Sequence, residues 1–357
     1  MLSRARLILL SGPAGAGTTT IAAATAAALQ AEGLRVEVID AAEPPPPDQS
    51  VVAGLSQSVG RVFAEVGADP LLAEAWTSLP GVAHLSSLAR IVAALSDASI
   101  DVVVVDAGDH RRARELVDLP AALLRLLDAV LTPRLAMLRP SGGVDTSGDA
   151  SLFEALSAAR AAVLRMTSAL AHPATTIRLV TTADQIDIDR TERAVAAFAM
   201  LGVGVDGVIV NRFPRKADGD SKGAVATAES IRDGLAGRVD GVAVWSSTSK
   251  LRPVPKGRSA LGPLARVAVL DAEQLTVHVG EEEFSLELPL APAARAVATV
   301  GVQGDSLVVA FDGALRWIDL PPVLRRCIAT YADRTPNGLR VTFVPDPAMW
   351  REPVATA

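Results

Sequence analysis

Between residue 6 and about residue 266, short runs of β-branched and aliphatic residues alternate with longer stretches in which Ala and Leu recur at helical spacing. That alternation predicts strand-helix-strand units stacked around a parallel sheet. The expected strands are Arg6 to Leu10, Arg35 to Asp40, Asp101 to Asp106, Thr176 to Thr181, Gly207 to Asn211 and Gly241 to Trp245. Several are apolar at every position, VVVV before Asp106 above all, so helices are expected on both faces of the sheet. The proline-rich Glu43 to Asp48 can continue neither a helix nor an inner strand and predicts a surface loop. The Ala/Leu-rich region Leu119 to Ala171 predicts two helices parted by the Gly/Ser/Asp stretch Ser141 to Ala150.

After residue 272 the pattern changes. LTVHVG, EEFSLELPL, SLVVAF, LRWIDL and LRVTFV are short alternating segments separated by Gly, Pro or Asp, which predicts a small all-β sandwich. A chain of 357 residues, 50% of them apolar, exceeds what one hydrophobic core organises. The expected fold class is therefore α/β, a parallel sheet flanked by helices, plus a small C-terminal all-β sandwich. The expected boundaries are 1–268, 273–346 and a tail at 347–357.

Charge and cysteine content narrow the chemistry. Lys and Arg number 34 against 40 Asp and Glu, a net charge of −6, which offers no basic footprint for a phosphate backbone, so nucleic acid is not an expected partner. Cys327 is the sole cysteine, so one chain can form neither a disulfide nor a paired-cysteine zinc site, and zinc is not expected. The same count argues against a soft metal or metalloid site, which requires several thiolates. The apolar run Leu7 to Leu10 is followed by a glycine-rich turn where a signal peptide would need its cleavage region. The stretch Leu119 to Leu138 carries Arg125, Asp128 and Arg134 within about one membrane span. A cytoplasmic protein that is not integral to a membrane is expected.

The first strand runs into Ser11-Gly12-Pro13-Ala14-Gly15-Ala16-Gly17-Thr18-Thr19-Thr20 and then the helix-forming IAAATAAALQA. A glycine-rich turn opening a helix presents backbone N–H groups and a positive helix end to an anion. In G-x-x-x-x-G-K-[ST] the glycines admit close backbone approach, the lysine neutralises terminal phosphates and the hydroxyl ligates magnesium. Gly12 and Gly17 keep this spacing and Thr19 holds the hydroxyl position, but Thr18 stands where the lysine belongs. The competing reading is a plain Gly/Thr-rich strand-to-helix turn. At the end of the third strand, Asp106 is a carboxylate at the edge where open α/β sheets bind ligands.

Taken together these segments resemble the ArsA-type, deviant-Walker P-loop ATPases, over most of residues 5 to 268. The family pattern G-K-G-G-x-G-K-[ST]-[ST] aligns with Gly12 to Thr20, which puts Pro13 at the signature lysine and Thr18 at the second; both lysines are replaced. The resemblance implies that Gly12, Gly15, Ala16, Gly17, Thr18, Thr19 and Thr20 cradle phosphate and that Thr19 and Asp106 hold magnesium. Asp40 falls at the aspartate thought to position the attacking water, although Asp40-Ala41-Ala42-Glu43 keeps nothing else of D-P-A-H-S; a loop cap is the alternative. AGDHRRARELVDLP resembles the second switch only in its closing LVDLP, and His110, Arg111, Arg112 and Arg114 read as phosphate contacts or as an exposed basic helix start. RLVTTADQIDIDRTERAVAAFAMLGVGVDGVIVNRFPR resembles the family's segment ending V-V-N-R, which implies adenine recognition by Asn211 flanked by Arg212, against an ordinary strand-end turn. LPGVAHLSSL matches L-P-G-x-x-E-L-L-x-L with His84 at the acidic position. EEFSLELPL, GDSLVVAFDGALRWIDLPPVL and NGLRVTFVP resemble the α-crystallin-like sandwich appended to some such proteins; His278 and Cys327 read as filling.

These features imply a weakly binding ATP and magnesium site with impaired or absent hydrolysis, in a nucleotide-responsive or structural subunit. The partner is a second copy or a lysine-bearing homologue. The alternative is a binding module whose helices over 119–171 hold a hydrophobic client helix, with Leu124 and Leu127 in the groove, although Met137 and Met166 are its only methionines and core packing explains the same residues.

Overall fold

The computed structural model describes residues 5–42, 84–137, 146–214, 221–239, 241–248, 264–265, 275–280, 283–290, 298–336 and 338–349. Six strands, β1 (Arg6–Ser11), β2 (Val36–Asp40), β3 (Val102–Asp106), β4 (Thr175–Thr182), β5 (Gly204–Phe213) and β6 (Val244–Thr248), are hydrogen-bonded in the order β2-β3-β1-β4-β5-β6. The pairings of β2 with β3, β3 with β1, β1 with β4 and β5 with β6 are parallel. All five residues of β3 are buried, as its unbroken valine run requires. Among the described residues six helices are interspersed: α1 (Thr18–Ala31), α2 (His84–Ser96), α3 (His110–Met137), α4 (Thr146–Leu170), α5 (Gln185–Met200) and α6 (Lys222–Arg238). This is the parallel, helix-flanked sheet of a P-loop NTPase, as expected.

Local chemistry sets the helix ends. Asp184 caps α5 by accepting from Ile186 N and Asp187 N, and Ser221 caps α6 by accepting from Ala224 N. Asp109 caps α3: its Oδ1 accepts from Arg112 N at 2.9 Å and its carbonyl from Ala113 N at 2.9 Å. α3 thus begins at His110, in line with the reading of that segment as a basic helix start and ahead of the Leu119 bound of the helical region, and it runs on through Pro120, which forgoes a single backbone hydrogen bond. The Gly/Ser/Asp stretch does not extend to Ala150, because α4 has already begun at Thr146. The loop Glu43 to Asp48, the LPGVA stretch before His84 and the tail beyond Met349 lie outside the described residues.

By packing, the chain divides into two compact units, residues 1–180 with 250–269 and residues 181–249 with 270–357. In the first, α1 buries Ala22, Ala24, Ala26 and Ala28, small side chains that let a helix lie close on a sheet, together with the larger Ile21 and Leu29. Arg178 on β4 is fully buried, and its Nη1 donates to the Leu264 carbonyl at 2.9 Å.

Among the described residues the second unit contains seven C-terminal strands: β7 (Thr276–Val279), β8 (Phe284–Pro289), β9 (Thr299–Gln303), β10 (Ser306–Phe311), β11 (Ala314–Asp319), β12 (Cys327–Thr335) and β13 (Gly338–Pro345). They form antiparallel sheets ordered β11-β10-β9 and β12-β13-β8-β7. Alternate residues of both sheets, Leu286, Leu288, Leu307, Val309, Val341 and Phe343 among them, fill one core. Ala196, Ala197 and Met200 of α5 belong to that same core. Strands β9 and β12 were not among the sequence expectations. The first is a five-residue run broken by Gly301, and the second is a largely exposed edge strand in which apolar and polar residues are mixed without regular alternation.

Candidate functional site

The carboxyl ends of β1, β2 and β3 lie side by side. Leu10 is in register with Asp106, and Asp40 with Asp106 on the other side. Beyond the ladder the chain stays stitched together: Ala107 N donates to Leu10 O at 2.8 Å, Gly12 N to Gly108 O at 3.1 Å and Ala41 N to Asp106 O at 2.8 Å. The turn after β1, the loop after β2 and the segment after β3 therefore meet at one edge.

Within the turn, Ala16 N donates to Pro13 O at 2.9 Å, and Gly15 and Gly17 adopt φ of 83° and 88°. Gly17 is the N-cap of α1 in left-handed conformation, with no side-chain cap and no acid in the first turn. The first amides of α1, at Thr18, Thr19 and Thr20, thus have no capping side chain and face the positive end of the helix dipole, an arrangement suited to an anion. Gly12 is required for a different reason: a Cβ there would lie 2.2 Å from the Val180 carbonyl oxygen and 2.9 Å from Thr18 Oγ1. Pro13, Ala16 and Thr18 are buried and Thr19 is exposed.

Asp106 is 2% exposed. Its Oδ1 accepts from Gly108 N at 3.1 Å, whereas Oδ2 has no hydrogen-bond partner among the described residues. A buried carboxylate oxygen left unmatched is costly, and a hard divalent cation with oxygen ligands is the group that would satisfy it. The uncapped amides of α1 and the unmatched Asp106 oxygen together fit a magnesium-bound polyphosphate. An ammonium group does not arise from nearby sequence, since no lysine precedes Lys216. Among the described residues no cluster of three or more His, Cys, Asp or Glu gathers. Asp40 is exposed, and its Oδ1 accepts from Ala42 N at 2.9 Å, closing a tight turn after β2.

Sequence reading missed how the segment after β3 is fastened. Gly108 has φ 71°, and a Cβ there would lie 3.1 Å from Ala42 Cβ, so the two loops are in close contact. Arg112 Nη1 donates to the Ala42 carbonyl, and its Nε lies 3.8 Å from Asp109 Oδ2. Ser11 Oγ is 3.1 Å from His110 Nδ1. The available signal was the Gly-Asp pair after the strand, a bend followed by a helix cap, which fixes where His110 and Arg112 emerge.

Asn211 and Arg212 lie in the second unit. Asn211 is 5% exposed, Arg212 adopts φ 54°, and the pairing of β5 with β6 is irregular between Val210 and Phe213. A bulge with a non-glycine residue in left-handed conformation is a feature that functional positions tend to retain. The guanidinium of Arg232 sits 5.5 Å from the centroid of the Phe213 ring, a cation–π contact.

His84 opens α2 and is 6% exposed, with Nε2 3.8 Å from Glu115 Oε2. Burial lowers its pKa from the ordinary value, and Glu115 opposes that shift only in part. On α3, Leu124 and Leu127 are half-buried while Leu126 is exposed. His278 lies 3.5 Å from Glu287 Oε2, and Cys327 Sγ lies 3.3 Å from the Val323 carbonyl.

A parallel sheet carrying a glycine-rich turn into α1, with an aspartate closing the neighbouring strand, defines the P-loop class. Residues 50–231, half of the chain, match the anion-transporting ATPase (ArsA) family, and the chain belongs to that family. The match begins after the turn that follows β1. A protein of Streptomyces coelicolor that has no assigned function is 29% identical over 97% of this chain and 99% of its own length. A Mycobacterium tuberculosis protein is 23% identical over 98% of each chain. An Aquifex aeolicus protein named as a candidate arsenical pump-driving ATPase is 26% identical over 58% of this chain and 63% of its own. Family membership carries the general expectation of nucleotide and magnesium as ligands. Among the described residues no helix is long and apolar enough to cross a membrane.

Proposed function

We propose that this chain is an ArsA-type nucleotide-binding subunit that holds ATP with magnesium weakly, hydrolyses it slowly or not at all, and works within a dimer as a nucleotide-responsive or structural half. The observation that carries this reading is the buried Asp106 carboxylate, one oxygen unmatched, beside a helix start with uncapped amides but with Thr18 where an ammonium would stand. In this reading Gly12, Gly15, Ala16, Gly17, Thr18, Thr19 and Thr20 cradle the phosphates, Thr19 and Asp106 hold magnesium, Asp40 orients water, and Asn211 with Arg212 meets the base. Loss of one phosphate-directed cation typically slows transfer by about two or more powers of ten. The partner is a second copy or a homologue that retains the lysines. The C-terminal sheets act as an α-crystallin-like domain over residues 273–346, appended to a nucleotide-binding domain over 1–268, in a cytoplasmic protein.

Isothermal titration with ATP and magnesium, alongside an assay of phosphate release, tests the reading. Micromolar binding without release supports it, and rapid turnover by the isolated chain overturns it. Thr18→Lys combined with Pro13→Lys is expected to tighten ATP by about tenfold or more; unchanged affinity would mean that this turn does not face nucleotide.

A second reading, a module holding an apolar client helix, draws on Leu126, which is 53% exposed on α3 between half-buried Leu124 and Leu127. Cross-linking to an apolar helix that disappears on Leu124→Asp or Leu127→Asp would favour it. Cross-linking insensitive to either change would assign both residues to the core.

A further inference from the structure

The first turn of α3 breaks an electrostatic rule. Arg111 and Arg112 stand there with no acid in the turn beyond the Asp109 cap, although cations are disfavoured at a helix N-terminus. Sequences that break a local rule tend to do so where function compensates. Relief by a pairing within the chain is incomplete at Arg112. Its strongest contact is a neutral acceptor, the Ala42 carbonyl, and Asp109 Oδ2 is 3.8 Å away. Arg111, by contrast, has Glu115 on its own helix. The Arg112 side chain is 46% exposed and Ala42 is half-exposed, so water can replace the guanidinium at that carbonyl.

Placement matters as much as charge. α3 follows β3, the strand between β2 and β1. Ala42 follows β2 on one side and Gly12 follows β1 on the other, and both meet Gly108, four residues before Arg112: Gly12 N donates to its carbonyl at 3.1 Å, and a Cβ on it would lie 3.1 Å from Ala42 Cβ. Released from the Ala42 carbonyl, the side chain would be free to turn toward the anion-binding turn. A second, independent feature places a charged ligand at this edge: Asp106, 2% exposed with Oδ2 unmatched, would bring a divalent cation and its phosphate oxygens there.

We propose that Arg112 is the phosphate-recognising cation of this site, leaving the Ala42 carbonyl to meet the terminal phosphate of a bound nucleoside triphosphate. This rests on the nucleotide reading above and adds to it the residue that discriminates triphosphate from diphosphate. The guanidinium replaces, from a different element, the charge that Thr18 lacks, and its departure frees the loop after β2 from the segment after β3.

The test is titration of the full-length chain with ATP and with ADP, each with magnesium, for wild type, Arg112→Ala, Arg112→Lys and Arg35→Ala. The last removes equal charge at the amino end of β2, where Arg35 pairs with Asp101. Arg112→Ala is expected to weaken ATP by about tenfold or more while changing ADP by less than about threefold. Arg112→Lys should recover part of the loss, and Arg35→Ala should leave the ATP-to-ADP ratio unchanged. Equal weakening of both nucleotides would mean that Arg112 only staples the two loops, and no change in either would remove it from the site; both overturn the proposal. If wild type binds neither nucleotide, the failure lies in the nucleotide reading itself and this assignment falls with it.

Discussion

Gly12→Ala is the sharpest test of how the anion-binding turn is built. A methyl group there would stand 2.2 Å from the Val180 carbonyl oxygen, 2.9 Å from Thr18 Oγ1 and 3.1 Å from the Val180 carbonyl carbon. Ordinary contact begins near 3.4 Å, so β1 and β4 would have to part by 3.4 − 2.2 = 1.2 Å at this point. Their ladder holds Ser11 in register with Leu179, one residue before the obstruction, and offers little freedom to yield. Overpacking against backbone of this kind costs about 3 kcal/mol. For a unit made of residues 1–180 and 250–269, that loss corresponds to a fall in Tm of about 6–12 °C. Gly15→Ala is the comparison: nothing lies within 4 Å of its Cβ, so only the strain of φ 83° remains, about 1 kcal/mol. Differential scanning calorimetry of both variants would decide. A drop for Gly12→Ala below about 2 °C, or no larger than that for Gly15→Ala, would refute the close approach of the turn to β4.

His84 makes stability depend on pH. Its folded-state pKa is lowered from 6.5, chiefly by burial, so the unfolded chain takes up the proton first. Stability should hold above about pH 6.5 and decline as the pH falls below it, and His84→Gln should flatten that part of the curve in urea titrations. A profile that His84→Gln leaves unchanged would show that the imidazole is not buried. Met200→Ala should cost about 2–5 kcal/mol in denaturant titration, because Met200 is fully buried in the core that α5 shares with the C-terminal sheets. A loss under about 1 kcal/mol would mean that the side chain is not part of that core.

Much of the fold could be read from residue patterns because burial on both faces leaves its mark. β3 has no polar position before Asp106, and β1 is polar only at its two ends, whereas β4 is legible through its β-branched residues although five of its eight positions are polar. The limits of reading were also physical. β12 is an edge strand, needing apolar residues on one side only, so CIATYADRT looks like loop. The start of α3 at His110 was one of two readings of that basic segment, the other arising because its cap, Asp109, lies in a stretch that invites comparison with a switch loop. At the site, the spacing of Gly12, Gly17 and Thr18 was evident, as was the carboxylate at the end of β3. The close contact of Gly108 with Ala42 and the reach of Arg112 to its carbonyl join residues that are 66 and 70 positions apart, and no local pattern encodes them. The bulge at Arg212 escaped notice for a similar reason, since only glycine advertises left-handed backbone in a sequence.

The helix α5 has two allegiances. It leads by a short turn into β5, and its last turn sinks Ala196, Ala197 and Met200 among the leucines and phenylalanines of the final strands. Removing those strands would leave a greasy scar on the helix just ahead of the strand that carries Asn211. A shortened chain ending near residue 272 is thus a poor surrogate for the whole, and whatever grips the C-terminal sheets has a stiff lever into β5.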